Sequence, residues 1–311
     1  MNLFRDLDAL PERFRGGAVA IGNFDGVHLG HAEIARRLKE QARRLGTAAV
    51  AFTFDPHPGR LLRPAQMPPP LTGIERKAKL LTELGLDAVV AYPTDKTLLQ
   101  LTPREFFDQI VRDRLRARAL VEGPDFCFGR NREGTIEHLR AFAAEADMLL
   151  EVVEPVKHGE EFVSSSRVRR LLAAGEVQHA AQLLTRPYEI EGPVARGAGR
   201  GTGIGFPTAN VTAIGTLLPG EGVYAGAAHA EESIYPAAIN IGANPTFGEN
   251  VQKVEAHLIG FDGALYDRTL KVDFFARLRD VRRHDDVAAL RGQLADDVRQ
   301  VKRIWKLQTS K

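Results

Sequence analysis

The sequence is poor in sulfur and in charge of one sign. It holds one cysteine, one tryptophan and three methionines in 311 residues. A lone thiol, Cys127, excludes an intrachain disulfide, fits a reducing compartment, and reads as a small packed residue. No Cys/His cluster with metal-ligand spacing occurs. No apolar run approaches the ~18–20 residues needed to span a bilayer. The opening MNLFRDLDALPERFRGG has no continuous apolar core of the secretory kind. The expectation is a soluble cytoplasmic protein with no membrane partner. Lysine plus arginine number 42 against 40 acidic residues, a net charge of +2. The basic residues are scattered or paired, as in Arg36-Arg37 and Arg169-Arg170, which fits solvated helix faces better than a nucleic-acid track. Small-molecule substrates and a monomer or weak homo-oligomer are expected.

The composition, 44% hydrophobic and 26% charged, is that of a globular chain long enough for two domains. Apolar runs at 17–22, 47–54, 87–92, 118–123 and 148–153 read as buried strands. Between them lie helical patterns at 29–45, ending at Gly46, and 73–84, ending at Gly85. A third opens with the capping box Thr102-Pro103-Arg104-Glu105, and a fourth covers 136–146. Such alternation predicts a doubly wound parallel sheet whose ligands bind beyond the carboxyl ends of its strands. Ser164-Ser165-Ser166 starts a short helix ending at Gly175, and another covers 176–184. From 187 to about 276 the texture changes to short β-rich runs broken by Gly, Pro and Asn, which predicts an antiparallel barrel. An amphipathic helix follows, with Val287, Leu290, Leu294, Val298, Val301 and Ile304 on one face, packed on that barrel. The boundary is placed at about 185, giving domains 1–184 and 185–311.

GNFDGVHLGH, residues 22–31, carries the most chemistry. It joins a strand-like run to a helical one, so free N–H groups and a positive dipole end point at one place. His28 and His31 stand beside it, suited to stabilise charge on a phosphoryl oxygen. The residues alone also fit a Gly-rich turn with two surface histidines. Residues 197–210, GAGRGTGIGFPTAN, can likewise wrap a polyphosphate or simply turn a barrel corner.

His28-x-Gly30-His31 resembles the HxGH mark of the nucleotidyltransferase superfamily, whose domain is Rossmann-like. The lysine-rich second motif of its synthetase branch is not seen. VSSSRVR at 163–169 resembles the ISSTxIR motif of the FMN adenylyltransferase module of bacterial bifunctional riboflavin kinase/FAD synthetases. FTFDPHP at 52–58 and GPDFCFGRNREGT at 123–135 resemble further motifs of that family, and GFPTAN resembles its kinase PTAN motif. GVYAG, NIGANPTF and VEAHLIGFDGALYD follow in family order.

The resemblance implies that ATP is received by Gly22, Asn23, Phe24, Asp25 and Gly30, with His28 and His31 on its phosphates. It implies that Ser164 and Ser165 bind the same polyphosphate and that Arg169 holds departing pyrophosphate. Pro56, His57 and Pro58 would lie beside the flavin, as would Asp125, Phe126 and Phe128, though aromatics after a strand also serve as core. In the kinase barrel, Gly199, Gly201, Gly205, Pro207, Thr208 and Asn210 would bind ATP. Thr208 and Asn210 would ligate Mg²⁺, and Glu255 would take the proton of the ribityl hydroxyl. The implied activity converts riboflavin to FMN and FMN to FAD with ATP. The chain departs from the family at Gly260, at Asp267 and at RLRDVRRH, where Val281 and His284 replace a usual glutamate and phenylalanine. That departure leaves an alternative: an FMN adenylyltransferase whose kinase domain is degenerate and only binds flavin.

Overall fold

The computed structural model describes residues 1–196, 200–244 and 249–309. The chain divides into two compact units, one of Met1–Pro68 with Thr72–Ser165, the other of Pro69–Leu71 with Ser166–Lys311.

In the first unit, β1 (Leu3–Phe4), β2 (Ala18–Ile21), β3 (Ala49–Asp55), β4 (Ala88–Pro93), β5 (Ala119–Glu122) and β6 (Leu149–Val152) form one sheet ordered β1-β4-β3-β2-β5-β6. Every pairing is parallel. The two faces differ in side-chain size because strand residues alternate. Val19, Ile21, Val50, Phe52, Val90 and Leu120 build one core with the phenylalanines Phe106, Phe107 and Phe128. Ala18, Ala20, Ala49, Ala51 and Ala119 line the other face. These small residues leave room for Ala35, Leu38 and Ala42 of the helix Leu29–Leu45 and for Ala78 and Leu81 of the helix Ile74–Glu83. The first helix stops at Gly46, whose φ of 63° is the left-handed cap expected there. The Thr102–Glu105 capping box also forms: the Glu105 N–H donates to Thr102 Oγ1 at 3.2 Å, and the Thr102 N–H to Glu105 Oε2 at 2.8 Å.

One expectation from the sequence needs correction here, and one strand is added. The run at 148–153 is not a buried strand. As β6 it is the sheet edge, and Leu149 is 54% exposed. The sheet also gains β1, whose two residues are too few to show a period. Leu3 and Phe4 pair with Val89 and Val90. A small antiparallel pair, β7 (Lys157–His158) and β8 (Glu161–Phe162), precedes the helix Ser165–Ala173.

In the second unit, β9 (Tyr188–Ala195), β10 (Ala209–Val211), β11 (Gly222–Ala230), β12 (Ser233–Asn244), β13 (Glu249–Leu258) and β14 (Thr269–Arg279) close a barrel ordered β10-β13-β12-β11-β14-β9. Every pairing is antiparallel. β9 alternates as a half-buried strand should, with Tyr188, Ile190 and Val194 inward. β11 is buried on nearly every residue. The helix Val287–Thr309 packs against β11, β12 and β14 from outside, which accounts for this. It is held by Asp297, which receives Arg279 Nη2 at 2.7 Å and Nε at 3.0 Å, and by Trp305 stacked on Phe275 at 6.2 Å.

Candidate functional sites

β2 and β5 pair through Ala18–Ala119 and Val19–Leu120 and then part. Beyond that point the Ile21 N–H is taken by a side chain: it donates to Glu122 Oε1 at 2.7 Å. The strand order reverses between β2 and β5, so this gap is the switch-point crevice where doubly wound sheets bind ligands. Glu122 is 2% exposed, and burial pushes its carboxyl well above the usual value of 4.5. No sequence signal marks it, since a glutamate ending an apolar strand looks like an exposed strand terminus.

The turn 22–28 leaves β2 at this crevice. Phe24, Gly26 and Val27 all have positive φ, at 45°, 83° and 42°. For phenylalanine and a β-branched valine that is strained backbone, the kind that persists where the surroundings over-determine it. Three contacts do so. Asp25 accepts from the Thr72 N–H at 3.1 Å, and the Gly26 N–H donates to Thr72 Oγ1 at 3.2 Å. Ser165 Oγ donates to the Asp25 carbonyl at 2.8 Å, tying the turn to the residue that starts the helix Ser165–Ala173. The Phe24 ring is buried over Gly22, where an added Cβ would lie 3.4 Å from it.

His28 is the N-cap of the helix Leu29–Leu45. Its backbone N–H donates to His31 Nδ1 at 3.3 Å, so the His31 proton sits on Nε2. The two imidazoles stack with centroids 3.7 Å apart and planes 15° from parallel, and Phe24 meets His31 edge-on at 5.3 Å. Gly30 packs closely against this pair: a Cβ would stand 3.2 Å from His28 Cε1, so the ring would have to shift by a few tenths of an ångström. Asn23 Oδ1 is a buried acceptor with no hydrogen-bond partner among the described residues. It leaves a place for a donor from a bound molecule.

At the end of β3, His57 caps the helix Pro58–Leu62, with Nδ1 accepting the Gly59 N–H at 2.9 Å. Asp55, just before Pro56, pairs with Arg5 at 2.8 Å. Asp125 is exposed in the loop after β5. Phe126 stacks on Phe128 at 5.4 Å. Phe128 is 6% exposed and packed among Phe106 and Phe142, so its ring is part of the core behind Phe126. Arg169 stands one turn beyond Ser165 on its helix.

A second arrangement lies in the barrel. Glu255 of β13 is paired on one side with Asn210 of β10 and on the other with Asn240 of β12. Their strand neighbours Val254, Ala256, Ala209, Val211, Ile239 and Ile241 are buried, so by alternation these three share the opposite face. Two amide groups thus flank one carboxylate on a single rung. Gly201 touches the neighbouring loop so closely that a Cβ would lie 2.4 Å from the Phe206 carbonyl. Gly205 has φ of 86°. Pro207 and Thr208 are exposed, and His257 Nδ1 meets the Pro207 carbonyl at 2.8 Å. His257, which lies in the VEAHLIGFDGALYD motif but was not singled out in it, thereby holds the segment bearing Thr208. Gly199 lies outside the described residues. The departing segment RLRDVRRH is built into the unit: the Arg277 N–H donates to Gln178 Oε1 at 3.3 Å and its Nη2 to the Glu221 carbonyl at 2.6 Å.

A switch-point crevice in a doubly wound sheet, followed by a closed barrel with a carboxylate rung, gives two architectures on one chain, and the comparisons with known proteins define the class as a two-domain transferase. The FAD synthetase family model matches residues 10–167, and the riboflavin kinase model matches residues 184–305. A bifunctional riboflavin kinase/FMN adenylyltransferase of Pseudomonas fluorescens is 36% identical over 299 residues, covering 96% of each chain. Those of Escherichia coli K12 and Bacillus subtilis 168 are 33% and 32% identical, covering 96% and 93% of this chain and 96% and 92% of theirs. The chain belongs to the bifunctional riboflavin kinase/FMN adenylyltransferase family. It is an enzyme carrying a riboflavin kinase and an FAD synthetase domain. The kinase match runs through RLRDVRRH, and nothing favours a degenerate kinase. A solved structure described as a macrolide-efflux protein from Streptococcus pneumoniae shares the fold at TM-score 0.85 and 27% identity, covering 96% of this chain and 98% of that one. Among the described residues no helix is long and apolar enough to cross a membrane.

Proposed function

We propose that residues 1–184 adenylylate FMN at the turn 22–31 and that residues 185–311 phosphorylate riboflavin at the Glu255 rung. The support for the first assignment is the meeting of three features at one strand end: strained turn, stacked histidines and helix start. His31 offers Nε2–H and the helix offers its N–H groups to the ATP phosphates, with His28 held against His31. Arg169 neutralises the leaving pyrophosphate, and Ser164 and Ser165 bind the polyphosphate. An FMN phosphate oxygen attacks the α-phosphorus, the bond to the bridging oxygen breaks, and pyrophosphate departs. The nucleophile is already anionic, so positioning and charge neutralisation carry the step rather than a base. Pro56, His57, Pro58, Asp125 and Phe126 border the flavin, with Phe128 behind.

In the barrel, Glu255 accepts the proton of the ribityl 5′-hydroxyl as its oxygen attacks the γ-phosphorus and ADP leaves. Thr208 and Asn210 supply hard oxygen donors beside that carboxylate, the set that suits Mg²⁺ sharing its shell with phosphates and water. Bound there, Mg²⁺ would neutralise charge on the transferring phosphoryl group. Gly201, Gly205 and Pro207 shape the loop next to it. The enzyme works on free small molecules in the cytoplasm as a monomer or weak homo-oligomer.

Incubation of the pure protein with riboflavin, MgCl₂ and ATP, followed by chromatography of the flavins, tests this. FMN should appear first and FAD after it. Riboflavin recovered unchanged contradicts both assignments, and a stop at FMN contradicts the first.

A further inference from the structure

The helix Ile74–Glu83 buries Ala78, Leu80 and Leu81 against the sheet, and in the same stripe it buries a lysine. Lys77 is 8% exposed. An ammonium at a core-facing position is costly to bury unless charges or polar groups compensate it. Its surroundings supply them from two strand ends. Lys77 Nζ donates to Thr53 Oγ1 of β3 at 3.5 Å, and Thr53 Oγ1 donates to the Asn23 carbonyl at 3.3 Å. Burial pulls the Lys77 ammonium below its usual range, while the charges of Asp25 and Asp55 push it back up. Asp25 belongs to the turn assigned to ATP, and Asp55 adjoins the Pro56–Pro58 loop assigned to flavin. Asp55 is held from the outer side by Arg5, which also pairs with Glu75 at 2.5 Å. One buried cation therefore serves both segments between which the adenylyl group is proposed to pass.

We propose that Lys77 is a positioning residue for adenylyl transfer: through Thr53 it fixes the Asn23 turn, and its charge holds Asp25 and Asp55, so that the nucleotide and flavin segments keep one relative geometry. This rests on the assignment of that turn to FMN adenylylation. A long bond from a buried ammonium suits a group that tightens when anionic substrate arrives at the neighbouring turn.

The test uses the full-length protein with FMN and Mg-ATP, which bypasses the kinase, and reads kcat and KM for ATP. Riboflavin phosphorylation is measured in the same preparations. Lys77→Met should lower adenylylation kcat/KM about 10- to 100-fold, as loss of a charged hydrogen-bonding group does. Phosphorylation should stay within about twofold, since the residues assigned to it share no partner with Lys77 and Thr53. Lys77→Arg should restore part of the loss. Thr53→Val should raise KM for ATP about threefold. In the double variant it should add nothing to Lys77→Met, because the two act through one chain of contacts. Adenylylation by Lys77→Met within about twofold of wild type overturns the proposal, as do losses that simply multiply in the double variant. Should Lys77→Met lose both activities through misfolding, Thr53→Val decides, and an unchanged KM for ATP overturns it. Failure of the wild-type protein to make FAD from FMN would instead overturn the functional assignment itself.

Discussion

The two regions proposed to handle phosphate are built by opposite means. In the turn region of the first unit the geometry is local: within residues 22–31, two non-glycine residues take positive φ and a helix starts on a histidine whose N–H is held by another. In the barrel the geometry is distant: Asn210, Asn240 and Glu255 meet because β10, β12 and β13 pair in one register. A locally built site fails when one residue no longer fits its turn. A register-built site tolerates change in its loops as long as the strands pair.

Breaking each region separately should expose the difference. The largest effect is expected from Glu255→Gln, which removes the only proposed base. FMN formation from riboflavin should fall about 10²–10⁴-fold while added FMN is still converted to FAD, read by chromatography of the two reactions. His28→Ala should do the reverse. Conversion of FMN to FAD should drop about 100-fold, with riboflavin phosphorylation unaltered in the same assay. Gly30→Ala sharpens the contrast. The added methyl meets the His28 ring at 3.2 Å and should displace it, costing about tenfold in adenylylation kcat with little change in melting temperature. Steady-state kinetics and calorimetry on one preparation check both.

Much of this organisation was legible in the sequence, and particular residues show why. Gly46 marks a helix end because only a left-handed residue fits there, and Thr102 with Glu105 marks a start because the two satisfy each other's backbone. The turn 22–31 was legible as a candidate because its parts are contiguous. Lys77 and Glu122 were not. A lysine on an amphipathic helix and a glutamate at a strand end look solvated, and their burial depends on neighbours distant in the chain. The Asn210–Glu255–Asn240 rung was invisible for the same reason, since register is a property of paired strands. Phe128 carries two readings at once: its motif position implies a flavin contact, and its ring also packs in the phenylalanine core of the sheet.

Glu122 gives the smallest expected effect. Its carboxyl keeps its proton in the folded state at pH values where the unfolded chain, with the ordinary value of 4.5, has released it. The native state thus binds more protons, and stability falls as pH rises through and above that value. Glu122→Gln accepts the Ile21 N–H without ionising and should flatten this dependence. Between about pH 5 and pH 8 its melting temperature should gain about 2–4 °C on the wild type. A constant difference across that range would contradict a buried neutral carboxyl.

The most direct test of two independent sites on one chain is complementation in solution. His28→Ala should turn riboflavin into FMN and stop, and Glu255→Gln should leave riboflavin untouched. A mixture of the two, given riboflavin and Mg-ATP, should produce FAD as FMN released by one is adenylylated by the other. A mixture that accumulates FMN without FAD, or leaves riboflavin unchanged, contradicts the assignment of the two chemistries to these two regions.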